Sequence, residues 1–470
     1  MRLDTETLPL LREALERLER GFDDLPDLPD LPGNSDGTDT EAIRRVLLET
    51  ADRLRDNYPY FHPLYAGQML KPPHPVARLA YALAMWINPN NHALDGGRAS
   101  SAMEKEAVAE LATLFGWKEH LGHLTGGGTM ANFEALWAAS RLSPGAIVAS
   151  ETAHYTHTRL SEVLGVEFRA IPADDLGRMD MNALESALAA GGVGTVVATL
   201  GTTLSGSVDP LPAILKLKER YGFRLHLDMA YGGYFTLASD LAPETRAAYD
   251  RVAEADSLVI DPHKHGLQPY GCGCILYRDP AVGALYRHDS PNTYFTSTEL
   301  HLGEISLECS RPGASAVALW ATHRLLPPRP GGEFAAGLDR GMRAARDLHA
   351  RAVADDRFLA GFHPELDIVV FAPRAGSASA VSAASRRVFE EAGRRRLHLA
   401  VAVVPAAIMR PHWPDLDWDS DQVTCLRSVL MKPEHEDWVD RIWNMITAIV
   451  SESESGTESE TKSEMPHESA

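Results

Sequence analysis

Cysteine is scarce, with four in 470 residues. This excludes a disulfide scaffold and fits a reducing compartment, so a cytoplasmic location is expected. No apolar run approaches the roughly 18–20 residues of a membrane span; ARLAYALAMWI at 77–87 is too short. Positive charge is in deficit, 45 Lys and Arg against 65 Asp and Glu, for a net charge of −20. Such a chain repels phosphate backbones, and nucleic acid is not an expected partner. The opening MRLDTETLPL carries acids where a secretory signal would carry a basic and then an apolar stretch. Nucleotide fingerprints are missing, since neither GxxxxGK[ST] nor GxGxxG occurs. Repeats of solenoid period are also absent. What remains, 44% apolar and 23% charged, is the balance of a soluble globular protein and fits an enzyme.

The chain divides by pattern. LLREALERLERGF and TEAIRRVLLETADRLRDN have helical spacing, the second with Thr40 as its expected cap. Between them, DDLPDLPDLPGNSDGTD (23–39) reads as an extended strap. These helices have no core of their own, so residues 1–85 are expected to wrap a neighbouring subunit in a homodimer. Further on, β-rich runs (AIVAS, TVVATL, FRLHLD, SLVID, GCILY) alternate with helical stretches. That alternation predicts an α/β unit with a mostly parallel sheet over 86–330. From 331 to 450 two strand runs and three helices predict a smaller α/β domain. The last twenty residues, SESESGTESETKSEMPHESA, hold almost nothing to bury and are expected to be a disordered acidic tail.

Polar residues gather just after the strand runs: His154, Thr202 and Thr203, Asp228, and His263 with Lys264. In open α/β sheets ligands bind outside the carboxyl ends of the strands. LTGGGTMAN (124–132) adds a glycine turn leading into a helix, either a phosphate cradle or an ordinary turn. Together these groups form a kit for pyridoxal phosphate. A lysine amine can form a Schiff base with the cofactor aldehyde. A carboxylate can pair with the pyridine nitrogen and keep it protonated. A histidine can stack on the ring. His226 shares a strand face with Asp228 and either packs there or supports it.

In these motifs the chain resembles the group II pyridoxal-phosphate-dependent amino acid decarboxylases of fold type I, a group that includes aromatic amino acid, tyrosine, histidine and glutamate decarboxylases. The resemblance runs from HPLYAG (62–67) to about residue 450. It is carried by NPNNHALDGGRASSAMEKEAV, LTGGGTMANFEAL, AHYTHT, GTTLSGSVDP, LHLDMAYGGYF and DSLVIDPHKHGLQPYGCGCILY. It implies a large domain with a mostly parallel seven-stranded sheet, a smaller C-terminal α/β domain and an N-terminal helical segment. It implies Lys264 as the Schiff-base residue, Asp228 at the pyridine nitrogen, Ala230 under the ring and His154 over it. Gly127, Gly128 and Thr129 would meet the phosphate, with Thr202 or Thr203 near the cofactor oxygens and His263 close by. His265 stands where many members have Trp or Phe, and SRPGASAVALW (310–320) is closer to the archaeal tyrosine decarboxylase and sphingosine phosphate lyase branches.

The expected reaction is decarboxylation of an L-amino acid, aromatic ones among the candidates, to an amine and carbon dioxide. Rival readings are a carbon–carbon lyase, an aldehyde-forming variant, or a catalytically silent homodimeric partner protein. By the same resemblance Tyr294, in HDSPNTYFTSTELHLGE, is the expected proton donor to Cα, with His301 next, and His62 and His92 lie on the substrate side. His154 and His157 could face one metal, but no third ligand stands at a recognisable spacing, and no metal is expected. Cys272 and Cys274 read as small buried strand residues. Arg311 could reach a phosphate, a substrate carboxylate or a structural acid.

Overall fold

In a computed structural model of the chain, residues 5–25, 39–287 and 300–463 are described, with side chains through Glu452. Seven strands form the main sheet: β1 (Leu121–Thr125), β2 (Ala146–Ser150), β3 (Phe168–Ile171), β4 (Val193–Thr199), β5 (Arg224–Asp228), β6 (Ser257–Ile260) and β7 (Gly273–Tyr277). Their spatial order is β1-β7-β6-β5-β4-β2-β3. The pairs among β3, β2, β4, β5 and β6 are parallel. β7 runs antiparallel to both β6 and β1. Two reversals restore direction, so β1 ends at the same sheet edge as β2, β4, β5 and β6. That edge gathers every chemical motif of the large domain.

Alternation along the strands sorts the layers. Val196 and Ala198 of β4, with Leu225 and Leu227 of β5, join one buried cluster with Leu184, Leu211 and Ile214 of the helices Met181–Ala189 and Leu211–Tyr221. Ile147, Ala149 and Val197 point the other way, against Leu136 and Leu160. Both faces are covered, which explains why the strands read as continuous apolar runs. The period of two also directs His226 and Asp228 toward the second layer, where the helix Gly128–Leu142 lies. β1 and β3 are short and only partly buried, and no apolar run marks them in the sequence.

A second sheet, all antiparallel, has the order β10-β11-β9-β8. Its strands are β8 (Phe358–Ala360), β9 (Ile368–Pro373), β10 (Ala400–Pro405) and β11 (Gln422–Val429). The helices Glu333–Ala354, Ala378–Arg394 and His435–Ser463 pack with it. Two local expectations are corrected. The helix Thr40–Leu54 is capped by Asp39, whose carboxylate accepts from the Ala42 N–H at 2.9 Å, not by Thr40. The helix from His435 continues to Ser463, past Val450, where a disordered tail was expected to begin. Its start is anchored by Trp443, Ile446 and Ile449 in the small-domain core. Arg357 bonds Ser451 at 2.6 Å and Arg395 pairs with Glu452 at 2.5 Å, so the helix carries on at little cost in polar residues. The proline strap from residue 26 onward lies outside the described residues.

Candidate active site

A cleft of 740 Å³ opens at the carboxyl edge of the main sheet. Gly126, Gly127, Gly128 and Thr129 line it after β1, His154 after β2, Thr199, Gly201 and Thr203 from the end of β4 onward, Asp228 and Ala230 at the end of β5, and Asp261, His263 and Lys264 after β6. Sequence positions more than a hundred residues apart meet there because each strand ends at that edge.

The glycine turn has a steric reason. Gly127 sits at φ +149°, open to glycine and strained for other residues. A Cβ on Gly128 would lie 2.7 Å from Asp261 Oδ2. On the neighbouring strand, a Cβ on Gly273 would lie 2.6 Å from the Gly127 carbonyl carbon, so Gly-Cys-Gly-Cys lets β7 pass the turn closely. The turn opens the helix Gly128–Leu142, whose first N–H groups have no carbonyl four residues back. A phosphate group fits this set of donors.

Lys264 Nζ lies 3.0 Å from Asp261 Oδ2, and its side chain is 22% exposed. Asp261 Oδ1 has no hydrogen-bond partner among the described residues. His263 meets the Cys272 carbonyl through Nδ1 at 2.8 Å, which fixes its ring beside the lysine. Burial lowers the pKa of His263 and of His154 below the ordinary imidazole value, so both present neutral rings near pH 7.

Asp228 is buried but kept anionic. Burial alone would raise its pKa; the His157 hydrogen bond and field, then the Lys264 charge and the Ala230 N–H, outweigh burial and hold it well below the usual carboxylate range. His157 Nε2 donates to Oδ2 at 2.8 Å, Asn132 Nδ2 reaches the same oxygen at 3.4 Å, and Ala230 N–H bonds Oδ1 at 3.1 Å. His226 does more than pack: its Nε2 holds Asn132 Oδ1 at 2.9 Å and its Nδ1 meets Ser257 Oγ at 2.9 Å. Burial pushes its pKa down to about 3, so the ring is neutral.

The structure separates the paired threonines. Thr203 lines the cleft, whereas Thr202 is fully buried and its hydroxyl accepts from the Ser207 N–H at 3.1 Å. His157 turns away from His154, toward Asp228. Arg311 is a structural partner, bonded to Glu104 at 2.8 Å and to the Leu124 carbonyl. Cys272 and Cys274 are buried, as expected, and free. Neither His62 nor His92 lines the cleft of the single chain: His62 packs edge-on against Trp438 at 4.9 Å, and His92 is buried. The His62 ring accepts locally, its Nδ1 taking the Leu64 N–H at 3.1 Å, and the His92 carbonyl accepts from the Gly303 N–H at 2.9 Å. His301 also lies off the cleft, buried with its Nδ1 accepting from the Leu94 N–H at 3.0 Å. Tyr294 lies outside the described residues.

Sequence reasoning missed Asn132 and Asp261 in the cleft and, outside its lining, the buried Arg427. Asn132 stands four residues after Gly128, one helical turn inside the helix, and that spacing was the available signal. Arg427 of β11 is 5% exposed. It bonds the carbonyls of Leu204 and Gly67 at 3.2 Å each and keeps one terminal nitrogen without a partner among the described residues. Nothing in CLRSVLMK distinguishes it from a surface arginine.

The chain is similar to known proteins. A family model for the pyridoxal-dependent decarboxylase conserved domain matches residues 143–374. A probable L-tyrosine/L-aspartate decarboxylase of Methanothrix thermoacetophila is 30% identical, over 82% of this chain and 94% of that protein. The L-tyrosine decarboxylase of Enterococcus faecium is 29% identical over 60% of this chain, and the chain spans 63% of that protein's length. Among solved structures, mouse CSAD aligns with a TM-score of 0.75 at 21% identity, covering 95% of this chain and 99% of that one. Oryza sativa TDC with PLP and tryptamine aligns at 0.75 and 19%, covering 96% and 99%. At these identities the structures speak for the fold. The archaeal relative, aligned along nearly its whole length, speaks for descent: this chain belongs to the pyridoxal-dependent decarboxylase family.

Proposed function

We propose that this chain holds pyridoxal phosphate at Lys264 and removes the α-carboxylate of an L-amino acid as carbon dioxide, leaving an amine. The observation that carries the reading is the meeting of Lys264, Asp228, His154 and the glycine turn in one 740 Å³ cleft. The residues fit the cofactor: a turn that leaves no room for side chains, a lysine amine, a neutral imidazole and a buried anion. When bound, pyridoxal phosphate supplies an electron sink conjugated to the substrate's Cα.

The chain's own residues do the rest. Gly127, Gly128 and Thr129 would take the phosphate and set the cofactor's position. His154, half-buried and neutral, offers a flat face to the ring. Asp228 holds a negative charge at the end of β5, suited to keeping a proton on the ring nitrogen. Asp261 holds the Lys264 ammonium when that amine is free. Phe133, Leu160, Tyr231 and Tyr270 line the same cleft and limit water there. For the proton returned to Cα, the reading keeps Tyr294, a phenol that arrives protonated.

Relatives named for tyrosine and for aspartate make these the first substrates to try. The test is a mass-spectrometric screen of the twenty amino acids with the purified chain and pyridoxal phosphate. One amine, with carbon dioxide in equal amount, is expected; no amine from any amino acid overturns the reading. Tyr294→Phe, run in the same screen in air, should cut amine formation by roughly 10²–10⁴-fold, with aldehyde, ammonia and hydrogen peroxide formed in its place at the expense of dissolved dioxygen.

The proposal includes a homodimer in the cytoplasm. Ile43, Val46, Leu47 and Leu54 lie exposed along one helix, with Leu8 and Leu10 on another and Met85, Trp86 and Ile87 beyond them. Apolar surface of this extent calls for a partner, and a second copy of the chain would cover it. Sedimentation at micromolar concentration should give a dimer; a stable, active monomer would count against it. Among the described residues no helix is long and apolar enough to cross a membrane.

A further inference from the structure

Asp228 is held from both sides by residues of two different helices. Asn132 comes from the helix Gly128–Leu142 and His157 from the helix Thr156–Leu164. Asn132 is itself set by a buried chain: Ser257 Oγ to His226 Nδ1, and His226 Nε2 to Asn132 Oδ1, each at 2.9 Å. Because Oδ1 of the amide takes the His226 N–H, Nδ2 is the atom that faces Asp228. It reaches Oδ2 only at 3.4 Å. The strong bond to that oxygen is the one from His157, at 2.8 Å, with both groups away from solvent.

An ionised carboxylate has about four acceptor sites. Oδ2 takes two donors and Oδ1 takes one, from Ala230. One acceptor site is therefore left on Oδ1. His157 does not line the cleft, though its neighbour Thr156 does. Its Nδ1 has no hydrogen-bond partner among the described residues, so Asp228 is the ring's polar tie. A stranded ring nitrogen makes histidine a poor choice for packing alone. An apolar side chain here would leave Oδ2 with the long Asn132 bond alone, and a buried carboxylate short of donors drifts toward its neutral form.

We propose that His157 is a positioning residue, which fixes Asp228 so that its remaining acceptor site is presented to the ring nitrogen of bound pyridoxal phosphate. The inference rests on the cofactor reading above and assigns a role to a residue outside the cleft. The other ionisable groups near Asp228 are His154, Lys264, Asp261 and His226; substituting His157 leaves all four in place.

The apo chain and its His157→Phe and His157→Gln variants are titrated with pyridoxal phosphate labelled with ¹⁵N in the ring. Phe keeps a ring and removes the donor; Gln keeps an N–H. For His157→Phe the dissociation constant should rise roughly 10–100-fold, the usual range for losing a group that orients a ligand-binding residue. The ring-nitrogen resonance should also leave its protonated position. For His157→Gln the resonance should stay protonated and the constant should change by less than about threefold. A parent chain that fails to bind the cofactor overturns the reading of the site itself. A parent that binds, with His157→Phe matching it in affinity and ¹⁵N shift, overturns the role of His157 alone. So does an equal loss in both variants, which would assign the ring to packing. Thermal melts of the apo proteins identify a variant that does not fold; should that be His157→Phe, His157→Leu replaces it as the donor-free arm.

Discussion

Lys264→Ala is expected to abolish covalent retention of pyridoxal phosphate and to lower turnover by on the order of 10⁴–10⁶-fold, as loss of a reacting nucleophile does. Reduction of the parent with borohydride, followed by peptide mapping, should place the pyridoxyl group on Lys264 and nowhere else. The expectation has a real competitor in the same chain. Burial lowers the pKa of Lys71 to about 8 and of Lys432 to about 7, so both carry more free amine near neutrality than an ordinary lysine. By nucleophilicity alone they would react first. They line a different cleft, with Phe61, His74 and Phe334, away from the glycine turn. Lys432 is also committed, donating to the Tyr65 carbonyl at 2.6 Å and the Leu70 carbonyl at 3.3 Å. Lys264 has the glycine turn in the same cleft and an ion-pair partner in Asp261 at 3.0 Å. Position decides here, since effective concentration at a bound aldehyde outweighs a few units of amine basicity. An adduct mapped to Lys71 or Lys432 would refute this assignment of the site.

The second large effect is expected at Asp228. Asp228→Ala removes the charge at the ring end of the cleft and should lower turnover by at least about 10²–10³-fold, the worth of one well-placed electrostatic group. It should also destabilise the apo chain by about 3–5 kcal/mol, because His157, Asn132 and the Ala230 N–H lose a buried acceptor. The pH dependence has a definite sign. The folded-state pKa is depressed, so the stabilisation from Asp228 is fully present above the unfolded value of about 3.9 and is lost as pH falls through the lower folded value. Across pH 5–9 the parent's advantage over Asp228→Asn in apo melting temperature should therefore stay flat with respect to this group. An advantage that already falls as pH rises above about 4, before an imidazole titrates, would mean that Asp228 is neutral in the fold, and the electron-sink reading would fall with it.

Much of this site is legible in the sequence because its chemistry is local. Lys264 sits in a four-residue turn after a buried run, the glycines adjoin one another, and Asp228 closes a strand. Each short motif carries its own steric or electronic reason, and a parallel α/β pattern places strand ends together. His157 shows where such reading stops. Its spacing of three from His154 is as compatible with a shared metal as with divergence, because one helical turn brings both residues to one side. Only the tertiary packing of that segment leaves His154 lining the cleft and turns His157 to a carboxylate 71 residues away in the chain. Thr202 and Thr203 are adjacent and chemically identical, and the β4 exit turn alone decides which faces the cleft.

The sequence by itself determined the fold class, the sheet edge where the cleft opens and the candidate residues that line it, because hydrophobic period and turn chemistry act over a few residues at a time. The tertiary structure decided which groups support those residues. The Ser257–His226–Asn132 chain, the Arg311–Glu104 pair and the departure of His62 and His92 from the cleft all depend on contacts between segments far apart in sequence. Such contacts are set by how layers pack. A buried hydrogen bond between two layers leaves no periodic trace in either of the strands or helices that make it.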